Sequence, residues 1–126
     1  MPDKDLSGFL SSLYHALRTR RRRRVIRVLR TSDERVLTVR SLAKQIAAEE
    51  YGVRPVHATG EPYRNAYNAL SQTHLPTLAD TEIIIYDPKR QRVSKGSDFR
   101  IAAFLIAIDT AAVQLFQDEN DSSGYV

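Results

Sequence analysis

Two stretches of this chain hold residue types that suit a polyanion. The first, RTRRRRRVIRVLR (18–30), has eight arginines among thirteen residues, and four of the other five are Val, Ile or Leu. A guanidinium is permanently charged, and its planar fork of donors matches phosphate or carboxylate oxygens. The second, PYRNAYNALSQTHL (62–75), carries Arg64, Asn65, Asn68, Ser71 and Gln72. Arginine can donate twice to guanine, and Asn or Gln can exchange a donor–acceptor pair with adenine. A third basic group, Lys89, Arg90, Arg92 and Lys95, follows the turn-forming pair Asp87-Pro88.

The charge is unevenly spread. The net charge is +4, yet the arginines of 18–30 supply +8, so the rest of the chain is acidic on balance. Such asymmetry points to a polyanionic partner, against the alternative of a solvated charged face.

These residues need elements to hold them. Leu6, Phe9, Leu10, Leu13, Tyr14 and Leu17 recur at helical spacing, so a helix is expected over 5–17, capped by Asp3 or Asp5. On a helical wheel Val25, Ile26, Val28 and Leu29 gather on one side of 18–30, and Arg20, Arg23, Arg24, Arg27 and Arg30 on the other. The aliphatics dock the helix and those five arginines face out, toward phosphate or toward acids such as Glu34, Glu49, Glu50 and the C-terminal tail. Arg18, Arg21 and Arg22 fall on the apolar side, where their stems can cover core while the heads reach water, an acid or a phosphate. Val36-Leu37-Thr38 reads as a short strand, and Thr38 can cap a helix over 39–50. Gly52, Pro55 and Gly60 punctuate a loop. Pro62 suits the first position of a helix over 62–75, and Pro76 should kink or restart it. Residues 82–86 and 92–94 read as the two strands of a hairpin. Asp98 can cap a last helix over 99–117.

The order helix, helix, short strand, helix, helix, hairpin, helix is the pattern of a winged helix-turn-helix, in which 62–75 would enter the DNA major groove. Three stretches, RRRRVIRVLR (21–30), VRSLAKQIAAEE (39–50) and YNALSQTHLPTLADTEIIIYD (67–87), resemble the winged-helix domain widespread in haloarchaea, a family of transcription regulators that are largely uncharacterised. The resemblance spans roughly residues 13–95 and implies the fold and, by analogy, DNA binding. It also implies a halophilic archaeal source, which the acidic remainder of the chain fits. Thr81-Glu82 stands where such domains often have a glycine before the wing, and the arginine run is unusually dense.

The expected fold is therefore mainly α with a small β hairpin, a winged helix-turn-helix with added N- and C-terminal helices. Residues 1–96 form the DNA-binding domain, 97–117 a dimerisation helix and 118–126 a disordered acidic tail. Ile101, Phe104, Leu105, Ile108, Ala112, Leu115 and Phe116 make one broad stripe on the last helix, expected to pack across a twofold axis with the 5–17 helix. That run is short for a membrane span and carries Asp109 in its middle. The N-terminus lacks a signal-peptide pattern, so a cytoplasmic protein is expected. His15, His57 and His74 have no ligand-spaced partners, and no phosphate loop or nucleophile elbow is present. No enzyme, metal or cofactor is expected. His74 reads as a core-edge histidine with one hydrogen bond, and Tyr14, Tyr51, Tyr63 and Tyr67 as core or pocket residues.

The expected activity is that of a homodimeric regulator of double-stranded DNA. Arg64, Asn65, Asn68, Ser71 and Gln72 would read bases. Arg20, Arg23, Arg24, Arg27, Arg30, Lys89, Arg90, Arg92 and Lys95 would meet phosphates. The alternatives are an interaction module gripping an acidic partner, and a non-specific architectural nucleic-acid binder.

Overall fold

The computed structural model describes residues 5–123, with side chains through Asp118. The elements run α1 (Leu6–Ala16), α2 (Arg20–Thr31), β1 (Val36–Thr38), α3 (Val39–Tyr51), a 3-10 turn (Pro55–His57), α4 (Gly60–Ala69), a π-helical stretch (Leu70–His74), α5 (Leu75–Asp80), β2 (Ile84–Asp87), β3 (Arg92–Lys95) and α6 (Phe99–Ser123). The fold is mainly helical with one small antiparallel sheet in the order β1-β3-β2. The short strand at 36–38 thus joins the hairpin as a third strand, with Leu37 opposite Val93. This order and pairing are compatible with a winged-helix-like arrangement.

The aliphatic side of α2 does what its spacing predicts. Val25, Ile26, Val28 and Leu29 are all buried, and they share one core with Leu13 of α1, Leu42 and Ile46 of α3, and Leu70, Leu75 and Leu78 beyond α4. Asp5 caps α1 by accepting from the Ser7 amide at 3.3 Å, and Thr38 caps α3 by accepting from Ser41 at 3.0 Å. These caps satisfy amides that a helix start leaves without partners. At the far end of α3, Gly52 takes φ +65°, a left-handed cap.

Several boundaries differ from the sequence reading. Helix α2 starts at Arg20, so Arg18 lies in the turn from α1 and Thr19 at the N-cap position. Helix α4 starts at Gly60, two residues before Pro62, which lies within the first turn. There the backbone amide has no helical partner, so proline is tolerated away from the first position too. At Pro76 the α-helix restarts as expected, since α5 begins at Leu75 with Pro76 in its first turn. The preceding turn widens into a π-helix in which the Leu75 amide donates to the Leu70 carbonyl five residues back. That widening absorbs the carbonyl contact a proline ring would otherwise clash with. Helix α6 continues to Ser123, so residues 118–123 are helical rather than the expected disordered tail, and 124–126 lie outside the described residues. No Gly or Pro interrupts the chain between Phe99 and Ser123, and Gln114 Nε2 reaches Asp118 Oδ1 at 3.4 Å along the helix.

The hairpin's entry and exit are tightly joined. Glu82 takes φ +62°, a conformation that favours glycine, at the point where the resembling domains often have one. Gly96 crosses this turn so closely that a Cβ there would meet the Glu82 carbonyl oxygen and come within 2.9 Å of the Ile83 carbonyl carbon. Its amide donates to Ile83 at 2.9 Å, and that of Asp98 to Glu82 at 2.9 Å. Strand β3 is thereby tied to the start of α6.

Candidate nucleic-acid interface

The helix face expected to read bases is mostly formed as its spacing suggests. Ala66 and Leu70 turn into the core, and Arg64, Asn65, Asn68 and Gln72 are exposed. None of these four has a hydrogen-bond or ion-pair partner among the described residues. Ser71 departs from the expected set. It is half-buried, and its hydroxyl donates to Gln91 Oε1 at 3.1 Å. Ser71 braces the hairpin, so it is withdrawn from the outward face.

Gln91, which the sequence reading passed over, organises this junction. Its Oε1 accepts from Tyr67 at 2.8 Å as well as from Ser71. Its Nε2 donates to the Tyr86 hydroxyl at 3.0 Å and to the Pro88 carbonyl at 2.9 Å. Its own carbonyl accepts from the amide of Val39, the first residue of α3, at 2.9 Å. The residue does this at φ +52°, a conformation costly for any side chain. Only the Asn-Gly-like turn chemistry of hairpins could have hinted at a special position here, and a glutamine does not advertise it.

At the hairpin tip, Asp87 Oδ1 accepts from the amides of Lys89 and Arg90 at 3.1 Å each. Lys89, Arg90 and Arg92 are exposed. Arg90 makes only a loose, exposed ion pair with Asp87 at 3.6 Å, which is worth little. Lys95 stands apart from this group. Its ammonium lies 5.2 Å from the centroid of the Phe99 ring at the base of the hairpin.

The arginines divide into two sets. Arg21 grips Glu50 with two hydrogen bonds, 2.7 Å from Nε and 2.9 Å from Nη2. This contact holds the Glu50 carboxyl below its usual pKa and raises that of the Arg21 guanidinium. Arg24 lies 3.3 Å from Glu50 and 3.6 Å from Glu49. Arg23 Nη1 donates to the carbonyls of Leu17 and Arg18 at 2.8 and 2.9 Å, capping the end of α1. Arg22 donates to the Thr19 hydroxyl, and its Nε is buried without a partner. Burial, and then Arg18, lower the Arg22 pKa. Of the five arginines expected to face phosphate or acids, Arg24 takes the acids, Glu49 and Glu50, and Arg23 takes the carbonyls of Leu17 and Arg18. Arg20, Arg27 and Arg30 remain exposed and without partners among the described residues.

The outward side of α2 also faces an unexpected neighbour. Arg20, Arg23, Arg24, Arg27 and Arg30 line a surface groove of about 700 Å³ whose other wall is α6, from Ile106 to Gln114. No residue of α4 lines it.

A family model for a domain of unknown function, DUF7344, matches residues 14–94. The chain belongs to the DUF7344 family. No curated protein and no solved structure matches it. The DUF7344 domain runs from Tyr14, in the last turn of α1, to Ser94 in β3, so it contains the arginine helix, the α4 face and Gln91. Helix α6 lies outside it.

The domain's histidines sit as singles. His15 and His57 are exposed, and His74 is half-buried on the π-helical stretch. The expected hydrogen bond to His74 is absent at Nδ1, which is buried without a partner. Burial, then Arg22 and Arg21, lower its pKa. Of the tyrosines, Tyr14 and Tyr51 are largely exposed, and Tyr63 and Tyr67 pack together with ring centroids 5.9 Å apart.

Helix α6 leaves the DUF7344 domain with one side docked and the other bare. Phe99 and Ala102 are buried, and Ala103, Leu105 and Ile106 pack against the core. Ile101, Phe104, Ile108, Ala112, Leu115 and Phe116 of the expected dimer stripe are exposed, whereas Leu105 is half-buried within its own chain. Covering Phe104 and Leu115, 64% and 67% exposed, would gain about 1–2 kcal/mol each. The stretch Phe99–Asp118 has a mean hydropathy of 1.7 and is, by length and composition alone, long enough to cross a bilayer.

Proposed function

We propose that the protein is a homodimeric DNA-binding regulator of winged-helix type. The α4 rod would enter the major groove, the β2–β3 hairpin would act as the wing, and α6 would join two copies. One observation carries the reading. An unpartnered polar face, Arg64, Asn65, Asn68 and Gln72, projects from a helix braced against a basic hairpin through Gln91. Helix and wing are thus presented as one preformed surface, which suits base readout beside phosphate contact. In this reading Arg64 pairs with guanine, and Asn65, Asn68 and Gln72 with adenine. Lys89, Arg90 and Arg92 touch phosphate. Arg20, Arg27 and Arg30 are the members of the arginine helix free to add to them.

The test is affinity for the gene's own upstream DNA against scrambled DNA of equal length, across a range of KCl. A specific regulator holds a preference of about a thousandfold or more at high salt. Equal binding that collapses with salt would defeat base readout and leave a non-specific nucleic-acid binder. A second reading is favoured by the arginine groove, which is walled by α6 rather than by α4. There the free arginines grip an acidic protein segment, and binding to DNA is absent at any salt.

A further inference from the structure

Residues Ile101, Phe104, Ile108, Ala111 and Leu115 of α6 recur at alternating steps of three and four. That is the heptad spacing of a two-helix seam. All five are exposed, on the side of α6 turned away from the buried Phe99 and Ala102. The seam is graded along its length. Phe104 lies toward one end, Leu115 toward the other, and the small Ala111 between them. Exposed Arg100 flanks its start, and exposed Asp118 stands at its finish.

We infer that this seam pairs with the same seam of a second copy in antiparallel orientation. The inference rests on the dimer reading above and specifies its geometry. In a parallel pair like meets like. Two Ala111 residues would leave an under-filled layer, and Asp118 would face the partner's Asp118. In the antiparallel pair the two kinds of seam position face each other. Phe104 meets the partner's Leu115, and Ile108 meets the partner's Ala111. The twofold axis falls between Ile108 and Ala111, and every contact occurs twice. Small layers at the centre let the helices approach, and large layers close both ends. By the same register Ile101 meets the partner's Asp118, and Arg100, the neighbour of Ile101, comes alongside that carboxylate, so an attracting pair stands at each end of the seam. The seam from Ile101 to Leu115 is about 21 Å long, and Asp109, on the α2-facing side of the same helix, would be costly in lipid, which favours a protein partner.

The chain has no cysteine, so single cysteines report orientation cleanly. Phe104→Cys and Leu115→Cys, carrying tags of different size, are mixed and gently oxidised. Antiparallel pairing gives a disulfide mainly between the two variants and little within either alone. Bridges within each variant but not between them would overturn the orientation and leave the dimer standing. Charge reversal gives a second readout. Arg100→Asp and Asp118→Arg each weaken their own dimer about tenfold, and mixing them restores it. Light scattering of the unaltered chain separates the two levels of argument. A mass near the 14.3 kDa of one chain would overturn the dimer and the orientation together. So would co-sedimentation of the protein, through α6, with phosphatidylcholine–phosphatidylglycerol vesicles.

Discussion

Arg21→Gln and Arg27→Gln remove the same charge from the same helix, and the structure expects different consequences. Arg27 is exposed and has no partner among the described residues. Its removal should change stability by no more than about 0.5 kcal/mol. If it contacts phosphate, the slope of log K against log salt should become shallower by about 0.9. Arg21 is held on Glu50 by hydrogen bonds of 2.7 and 2.9 Å, and the two side chains are only 25% and 17% exposed. Its removal leaves a partly buried carboxylate with only Arg24, 3.3 Å away. Losing a charge-assisted, bidentate contact of this kind costs about 2 kcal/mol. For a domain of this size that lowers Tm by about 8 °C, and the salt slope should not change. Thermal melts and DNA titrations at several KCl concentrations measure both quantities for both variants. A shallower slope with an unchanged Tm for Arg21→Gln would mean that this guanidinium leaves Glu50 for DNA, and the division of the arginines into structural and free sets would fail.

Glu50→Gln should flatten the acid limb of the stability curve. The folded Glu50 pKa is lowered from 4.5 by Arg21 and Arg24, so its contribution is complete above about pH 4.5 and fades as pH falls through the folded value. Urea titrations at pH 7 and near pH 3 should differ less in this variant than in the unaltered protein. Gln91→Ala should cost about 1–3 kcal/mol, since the Tyr67 and Ser71 hydroxyls lose their acceptor while the strained φ remains. Gln91→Gly should cost less, because glycine relieves that strain, and a urea midpoint for Gly no higher than for Ala would count against this account of the turn. Gly96→Ala should cost at least about 2 kcal/mol, or abolish soluble expression, because its Cβ would press on the Glu82 carbonyl. Arg64→Ala and Asn68→Ala should each narrow the gap between operator and scrambled DNA by about 1–3 kcal/mol. An unchanged ratio of affinities would remove those residues from base readout.

What the sequence disclosed and what it hid follow from range. The buried side of α2 was legible because Val25, Ile26, Val28 and Leu29 are fixed by helical spacing, a local property. The three-strand sheet was nearly so, since β-branched runs and the Asp87-Pro88 turn mark the hairpin. The fate of the arginines was not, because Arg21 meets Glu50 across twenty-nine positions of chain and Arg23 spends its charge on carbonyls that every residue carries. The π-helical widening before Pro76 was hidden for another reason. Proline forbids one hydrogen bond and one contact, and several backbone geometries satisfy that prohibition. Gln91 was the least legible, since a single amide gains its meaning only from the four side-chain hydrogen bonds that fold around it.

The two sets of arginines explain why one helix carries so many. A positive helix needs its repulsion relieved if it is to dock an apolar side on a core. Arg21 and Arg24 obtain that relief from the acidic end of α3, and Arg23 from the carbonyl end of α1. These contacts also fix how α2 sits against its neighbours. Once α2 is clamped, Arg20, Arg27 and Arg30 project from a rigid support, and little side-chain entropy beyond their own is lost when an anion arrives. Lysine would serve the exposed positions as point charges. It would fail at Arg21, where two nitrogens of one planar head group donate to the two oxygens of Glu50 at once. Replacing Arg20, Arg27 and Arg30 by lysine should therefore leave Tm and the salt slope nearly unchanged, whereas Arg21→Lys should lower Tm.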